Sequence, residues 1–399
     1  HINESENKEC VMSNGDLFNA SASMLGYLYQ IRYGLFLSLK KLSEVADPEQ
    51  FNISIEKLDD VGFDKEGTPE ELLQTKFHGK PGNLTDRSAD IWKTIRVWVK
   101  AINDGVIEID KVVLTLVTTQ ALPKGSIAYQ LSEGEGRDIS AALKTMLDII
   151  EESNDTNDKG YKAFKSLSEA QKKVFLNSIY VVGKSDDLLK IRERMQPIAR
   201  QSVPIVAVDA FINRIEGEWF EWCIEALSKT PTGVINLGRL QDVIDLIRPQ
   251  YSHTNLPAEF SDALPDVIEI DSDLRVFVQQ LRLFKAPKTM LEQAVKNYYR
   301  AFEQRNKWTV DGLLNPGELG RYDRRLEEQW LEQQSFLELL ENIETEQGKQ
   351  RYSVKLYMVC QNEGVIPIRP EFIEGYLSKG SYHILADNLK IGWHPEYLG

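Results

Sequence analysis

Glu56, Asp60, Gln74 and Lys76 lie close together in the chain and carry the groups needed to hydrolyse a phosphodiester. Carboxylate oxygens can hold a hard divalent cation, Mg2+ or Mn2+, which polarises the scissile phosphate and activates a water. An ammonium group beside it lowers the pKa of that water and offsets developing negative charge. Metal contacts are therefore expected from Glu56 and from Asp60 or its neighbour Asp59, with Lys76 as the catalytic cation and Gln74 beside it. The same residue types also suit a plain solvent-exposed strand face, so the elements around them have to decide.

Those elements begin with SASMLGYLYQIRYGLFLSLKKLSEV, where Leu25, Leu28, Tyr29, Leu35, Leu39 and Leu42 recur at helical spacing. FNISIEKLDDVGF, rich in β-branched and aromatic residues, reads as one strand, DKEGTPE as a turn, and ELLQTKFH as a second strand paired antiparallel with the first. Alternate side chains of a strand share a face, which groups Gln74 with Lys76 and His78 and turns Thr75 away. Glu56 and Asp60 can share a face of the preceding strand, beside Gln74 and Lys76. The phase there is broken, because Ile53 and Ile55 face one side and Leu58 the other. Either a bulge lies near Glu56 or the strand is buried on both faces, and Asp59 stays open as the alternative to Asp60. A Gly/Pro loop then leads to a helix, SADIWKTIRVWVKAIND, and to KVVLTLVTT, a buried strand. Helix, strand, strand, helix, strand is the order of a restriction-endonuclease-like core.

At 399 residues the chain exceeds one ordinary domain, and a boundary near 230 is expected, giving 1–230 and 231–399. Residues 139–227 read as mainly helical with a strand-like NSIYVVG. Residues 251–271 read as irregular, later segments as helical, and 352–399 as a mixture of a short strand and turns. No apolar run approaches the roughly 18 residues of a membrane-spanning helix. The polar HINESENKECVMSNGD lacks the apolar core of a secretory signal, and Cys10, Cys223 and Cys360 show no metal or disulfide spacing. A cytoplasmic location is expected.

The formal charge of −14 is unfavourable for contact with nucleic acid, but it is segregated. Lys76–Lys100 holds six basic residues against two acids, Lys159–Arg200 ten against four, and Leu326–Gly348 seven glutamates with no basic residue. No phosphate-binding GxxxxGK[ST] loop occurs, so an ATPase would have to be a separate subunit. His383 and His394 lack neighbouring ligands and are expected to pack, as are Trp92 and Trp98. His78 shares the face of Lys76 and is a candidate for contact with DNA or metal. The stripe Leu326, Trp330, Leu337 and Leu340 suits a core or a partner helix.

GYLYQ, ISIEKLDD, LLQTKFH, LTDRSADIWKTIRVW and LTLVTT together resemble the double-stranded DNA endonuclease domain of CBASS effectors. They are also similar to the nuclease subunit of Lamassu-type, ABC-three-component antiphage systems, over residues 20–120 and more loosely to 220. That family is a branch of the PD-(D/E)xK superfamily in which Gln replaces the second acid. The resemblance implies Asp60 as the first metal-binding acid, Gln74 at the D/E position with a further metal contact, and Lys76 as the catalytic lysine. Glu56 would be a further acid, and Gln30 a polar residue of the first helix that reaches the metal. FVQQLRLF, AVKNYYRAFEQRNKW, RYDRRLEEQW and KGSYHILADNLKIGWHPEY resemble the C-terminal domain of ABC-three-component proteins. An α/β restriction-endonuclease-like (PD-(D/E)xK) domain with a helical extension and a mostly α C-terminal interaction domain follows. The implied activity is cleavage of double-stranded DNA as a defence effector. The implied partners are an SMC-like ABC ATPase and a small third subunit, with a homo-oligomer (dimer or tetramer) as the active form. The competing expectation is a catalytically inactive DNA-binding or scaffold subunit.

Overall fold

The computed structural model describes residues 14–398 apart from Leu58, Lys80, Ser153, Asp187 and Gly364. Cys10, most of the polar leader, and Leu58 with its part in the strand phase lie outside the described residues. The chain divides into two compact units, His1–Gln201 with Ile212–Asp245, and Ser202–Phe211 with Leu246–Gly399.

The first unit runs α1 (Asn14–Leu42), β1 (Phe51–Ile55), β2 (Val61–Lys65), β3 (Thr68–Lys76), α2 (Ala89–Asn103), β4 (Val113–Thr118) and α3 (Ile127–Gln130). It continues with α4 (Ile139–Ile150), α5 (Asp158–Ser166), α6 (Glu169–Ser178), β5 (Ile179–Val182), α7 (Leu188–Ala199), α8 (Val208–Leu227), β6 (Ile235–Asn236) and α9 (Leu237–Ile247). The strands form one mixed sheet in the order β5-β4-β3-β2-β1-β6. β1, β2 and β3 are antiparallel neighbours, whereas β3, β4 and β5 run parallel.

The segment expected as one strand over FNISIEKLDDVGF is two. The chain reverses between β1 and β2, and Ile55 pairs with Val61. Glu56 takes a left-handed backbone (φ 55°), and its N–H donates to the Asp60 carbonyl at 3.1 Å. The reversal ends the strand at Ile55, and β1 is buried on both faces as one of the two expected causes has it: Ile53, Ser54 and Ile55 are all buried. The next turn, Glu66–Gly67, has positive φ at both residues, the geometry that fits the twist of a two-residue hairpin.

Each face of the sheet is covered. Leu72, Leu114 and Leu116 join a core with Trp92, Trp98, Met146, Phe164 and Phe175, from α2 and the helices between β4 and β5. α2 presents this side because its apolar residues recur at helical spacing, and Ser88 caps its first turn. On the other face α1 lies close over β1. A Cβ at Gly34 would sit 2.9 Å from Ile55 Cδ1, 3.5 Å from Trp219 Cζ2 and 3.7 Å from Ile53 Cδ1. The Trp219 indole N–H fixes the same helix by donating to the Ile31 carbonyl at 2.8 Å.

The second unit is mostly helical: α10 (Val276–Leu283), α11 (Lys288–Val310), α12 (Glu318–Leu340), α13 (Glu346–Met358) and α14 (Gly375–Asp387). The strand expected beyond Tyr352 is absent among the described residues, and helices occupy most of that segment. α14 takes its place because Ser378, Gly380 and Ser381 are small enough to bury against α11. A Cβ at Gly380 would come within 2.0 Å of the Asn297 carbonyl oxygen. Leu326, Trp330 and Leu337 are buried as the helical stripe predicts, while Leu340 is exposed. Among the described residues no helix is long and apolar enough to cross a membrane.

Candidate active site

The reversal at 56–60 and the end of β3 bring Glu56, Asp60 and Lys76 together, though not on one strand face. Leu72 packs with α2, so alternation turns Gln74 and Lys76 toward α2 as well. Asp60 leaves this pattern. Its Oδ2 accepts from the Thr75 N–H at 2.7 Å and from the Thr75 hydroxyl at 2.8 Å, on the side opposite Gln74 and Lys76. Glu56 is hydrogen-bonded by the side chain of Gln30 on α1. The expected shared face is therefore corrected: Glu56 and Asp60 approach with α1 and Thr75, and the lysine meets them at the strand end. The physical cause is the chain reversal, which releases residues 56–60 from strand alternation.

Electrostatics tie the group together. Burial raises the Glu56 pKa, and the charge of Asp60 raises it further, while the Gln30 hydrogen bond and the charge of Lys76 oppose the shift. Asp59 is pushed up to about 7, first by burial and then by Asp60. It is opposed by the Trp98 indole, the Asp60 N–H and Lys76. The Trp98 indole N–H donates to Asp59 Oδ2, and the Asp60 N–H donates to Oδ1 at 3.1 Å. Asp59 is thus committed to the α2 side, with both oxygens occupied. Asp60 has one oxygen held by Thr75.

The donor set can be tested against a divalent cation. Gln30 Oε1, beside Glu56, is buried with no hydrogen-bond partner. An unsatisfied oxygen next to Glu56, whose pKa is raised by burial and by the charge of Asp60, suits a hard cation, which would satisfy the oxygen and favour the ionised acid. Gln74, buried two residues before Lys76, is turned toward α2, away from the side on which Thr75 holds Asp60, so the expected metal contact from Gln74 is not brought together with the others. Among the described residues no three His, Cys, Asp or Glu side chains are grouped to hold a metal. Such a cation would rest on Glu56, Asp60, the Gln30 amide and water.

His78, two residues beyond Lys76, has its Nε2 at 2.8 Å from Asp90 Oδ2 in the first turn of α2. Three partners escaped sequence reasoning: Thr75, Trp98 and Asp90. Thr75 sits inside the QTK triplet and was assigned only a direction. Trp98 was legible as core, and nothing marked its N–H as the donor to Asp59. Asp90 was visible only as a first-turn acid, a common helix-stabilising choice.

In the second unit His383 is buried against Phe277, Tyr357 and Trp393, as packing predicts, and burial followed by the charge of Arg275 drives its pKa down to about 3. Residues 277–399 match the family described as C-terminal domain 7 of the ABC-three component (ABC-3C) systems. The matched segment lies in the second unit, where it begins at Phe277 of α10 and takes in α11 to α14. The match covers less than a third of the chain and lies wholly outside the segment holding Glu56 and Lys76. No curated protein matches the chain.

Proposed function

We propose that the chain is a metal-dependent endonuclease of double-stranded DNA acting as the effector of an ABC-three component antiphage system. The observation that carries this reading is the meeting of Gln30, Glu56, Asp60 and Lys76 at one end of the sheet, with the unpartnered Gln30 oxygen beside the two acids. The order α1-β1-β2-β3-α2-β4, antiparallel through β3 and parallel from β3 to β4, supports a restriction-endonuclease-like core. The match of residues 277–399 to an ABC-3C C-terminal domain supports the setting.

Glu56 and Asp60, with the amide oxygen of Gln30, would hold Mg2+ or Mn2+. When bound, the cation polarises the scissile phosphate and activates water. Lys76 offsets the charge that develops on the phosphate oxygens. Thr75, by donating twice to Asp60 Oδ2, fixes the orientation of that carboxylate. Cutting both strands calls for two such centres, so the active form is a homo-oligomer. An SMC-like ATPase and a small third subunit would restrain it in the resting state.

The test is duplex cleavage by the purified chain, concentrated or with its partner subunits. Cleavage is expected with Mg2+ or Mn2+, lost with EDTA and lost in Lys76→Ala. Full activity in Lys76→Ala refutes the assignment. A second reading, a catalytically inactive DNA-binding or scaffold subunit, is favoured by the lack of three grouped acids or histidines among the described residues. It prevails if the wild-type chain binds duplex DNA and never cuts it.

A further inference from the structure

His78 and Asp90 are not needed to hold the cation, yet His78, two residues beyond Lys76, is held in a restrained pair with Asp90. Alternation from Gln74 through Lys76 to His78 keeps the three toward α2, and two residues of extended chain separate the last two by about 7 Å. The His78 backbone is pinned to the end of β4. Its N–H donates to Thr119 Oγ1 at 3.0 Å, and that hydroxyl donates to the His78 carbonyl at 3.2 Å. The imidazole is fixed separately, through Nε2 and Asp90 Oδ2. Its side chain is 38% exposed, and that of Asp90 is 22% exposed.

A polar contact this exposed adds little to stability, so stability alone does not account for so defined a geometry. A carboxylate only accepts hydrogen bonds, so Nε2 donates in this contact, and in a neutral imidazole Nδ1 is then the acceptor nitrogen. Among the described residues none bonds Nδ1. A half-exposed imidazole with its tautomer fixed by a carboxylate, and its free nitrogen near a cationic strand end, is the arrangement of a proton acceptor.

We propose that His78, oriented by Asp90, accepts the proton of the attacking water in phosphodiester hydrolysis. This rests on the nuclease reading above. The water oxygen bonds to phosphorus as its proton passes to His78 Nδ1. The bond from phosphorus to the departing sugar oxygen breaks, and that oxygen takes a proton from solvent. The imidazolium then returns its proton to solvent. His78 is the catalytic residue, and Asp90 is a positioning residue.

The experiment compares the full chain with His78→Ala, Asp90→Asn and Lys76→Ala in Mg2+-dependent duplex cleavage, with duplex affinity measured in parallel at one salt concentration. His78→Ala is expected to cut about 10²- to 10⁴-fold more slowly, the usual share of a general base, while binding DNA about as well as the wild type. Added imidazole restores part of its rate, about tenfold or more, by taking the vacated role. Asp90→Asn loses less and gains nothing from imidazole. Wild-type cleavage by His78→Ala overturns the proposal. So does a loss that imidazole leaves untouched, or one matched by an equal loss of DNA affinity. A wild-type chain that does not cut, indistinguishable from Lys76→Ala, overturns the nuclease reading itself, and this proposal with it.

Discussion

His383 makes the second unit sensitive to acid in a way that can be worked out from its surroundings. The imidazole is enclosed by Phe277, Tyr357 and Trp393, its Nδ1 has no partner, and its Nε2 reaches only the Tyr357 hydroxyl at 3.5 Å. Burial comes first and the Arg275 charge second in lowering its pKa from 6.5 to about 3. Below 6.5 the unfolded chain therefore binds a proton that the folded domain refuses. Stability from this group is complete above pH 6.5 and declines as pH falls toward 3, by about 1.4 kcal/mol per pH unit. Over the whole window this approaches about 5 kcal/mol, the scale of a small domain's stability. His383→Phe keeps an aromatic ring in the cluster and removes the titration. Hydrogen exchange of α14 amides in increasing urea, at pH 7, 6, 5 and 4, measures this unit alone. The stability gap between wild type and variant should close, or reverse, by about 1.4 kcal/mol for each unit below 6.5. Parallel pH curves for the two proteins would refute the reasoning.

Four further outcomes follow from contacts described above or adjoining them. Lys76→Ala leaves thermal unfolding near that of the wild type, as a half-buried strand-end lysine should, while abolishing cation-dependent cleavage. Gly380→Ala drives a Cβ into the Asn297 carbonyl and should destabilise the second unit by about 3 kcal/mol or more, read as lost exchange protection in α11 and α14. Arg369 forms a buried pair with Glu318 at 2.9 Å and donates to the carbonyls of Asn255 and Leu313. Arg369→Ala leaves that carboxylate buried and should cost about 3 to 5 kcal/mol in urea unfolding of the same unit. Trp98→Phe removes the indole donor of Asp59 and should destabilise the first unit by about 1 to 3 kcal/mol, read in urea unfolding.

Much of the first unit was legible because its elements are long and strongly patterned. The α1 periodicity, the helix read over SADIWKTIRVWVKAIND and the apolar run of β4 each point to one structure. The β1-β2 reversal was not legible. It uses Glu-Lys-Leu-Asp-Asp without Gly, Pro or Asn, so the turn is carried by Glu56 in a left-handed conformation instead of by a residue that favours it. The broken phase after Ile55 was visible, and the reversal there was not. At the site, the proximity of Glu56, Asp60 and Lys76 was expected, but the reason differs: strand ends and a turn supply it, not a shared face. In the second unit, residues 352–399 read as a mixture of a short strand and turns because their Gly, Ser and Asn weaken helix propensity. Tertiary packing of α14 on α11 overrides that preference, and local sequence carries no record of the partner helix.

The seating of α1 has a consequence for how finely the site is set. Neighbouring residues of that helix serve different parts of the sheet. Tyr29 stacks near Phe77 and bonds the Ser185 hydroxyl at 2.7 Å, while Gln30 reaches Glu56. One turn on, a methyl group at Gly34 would stand 2.9 Å from Ile55 Cδ1, so either that side-chain tip turns aside or the helix gives. The helix therefore works like a straightedge resting at Gly34. Where the helix gives, Gln30 and Tyr29 move with it. The spacing of oxygens around Glu56 is thus toleranced by the absence of a Cβ four residues away, and Gly34→Ala is a way to detune the centre without touching any residue in it.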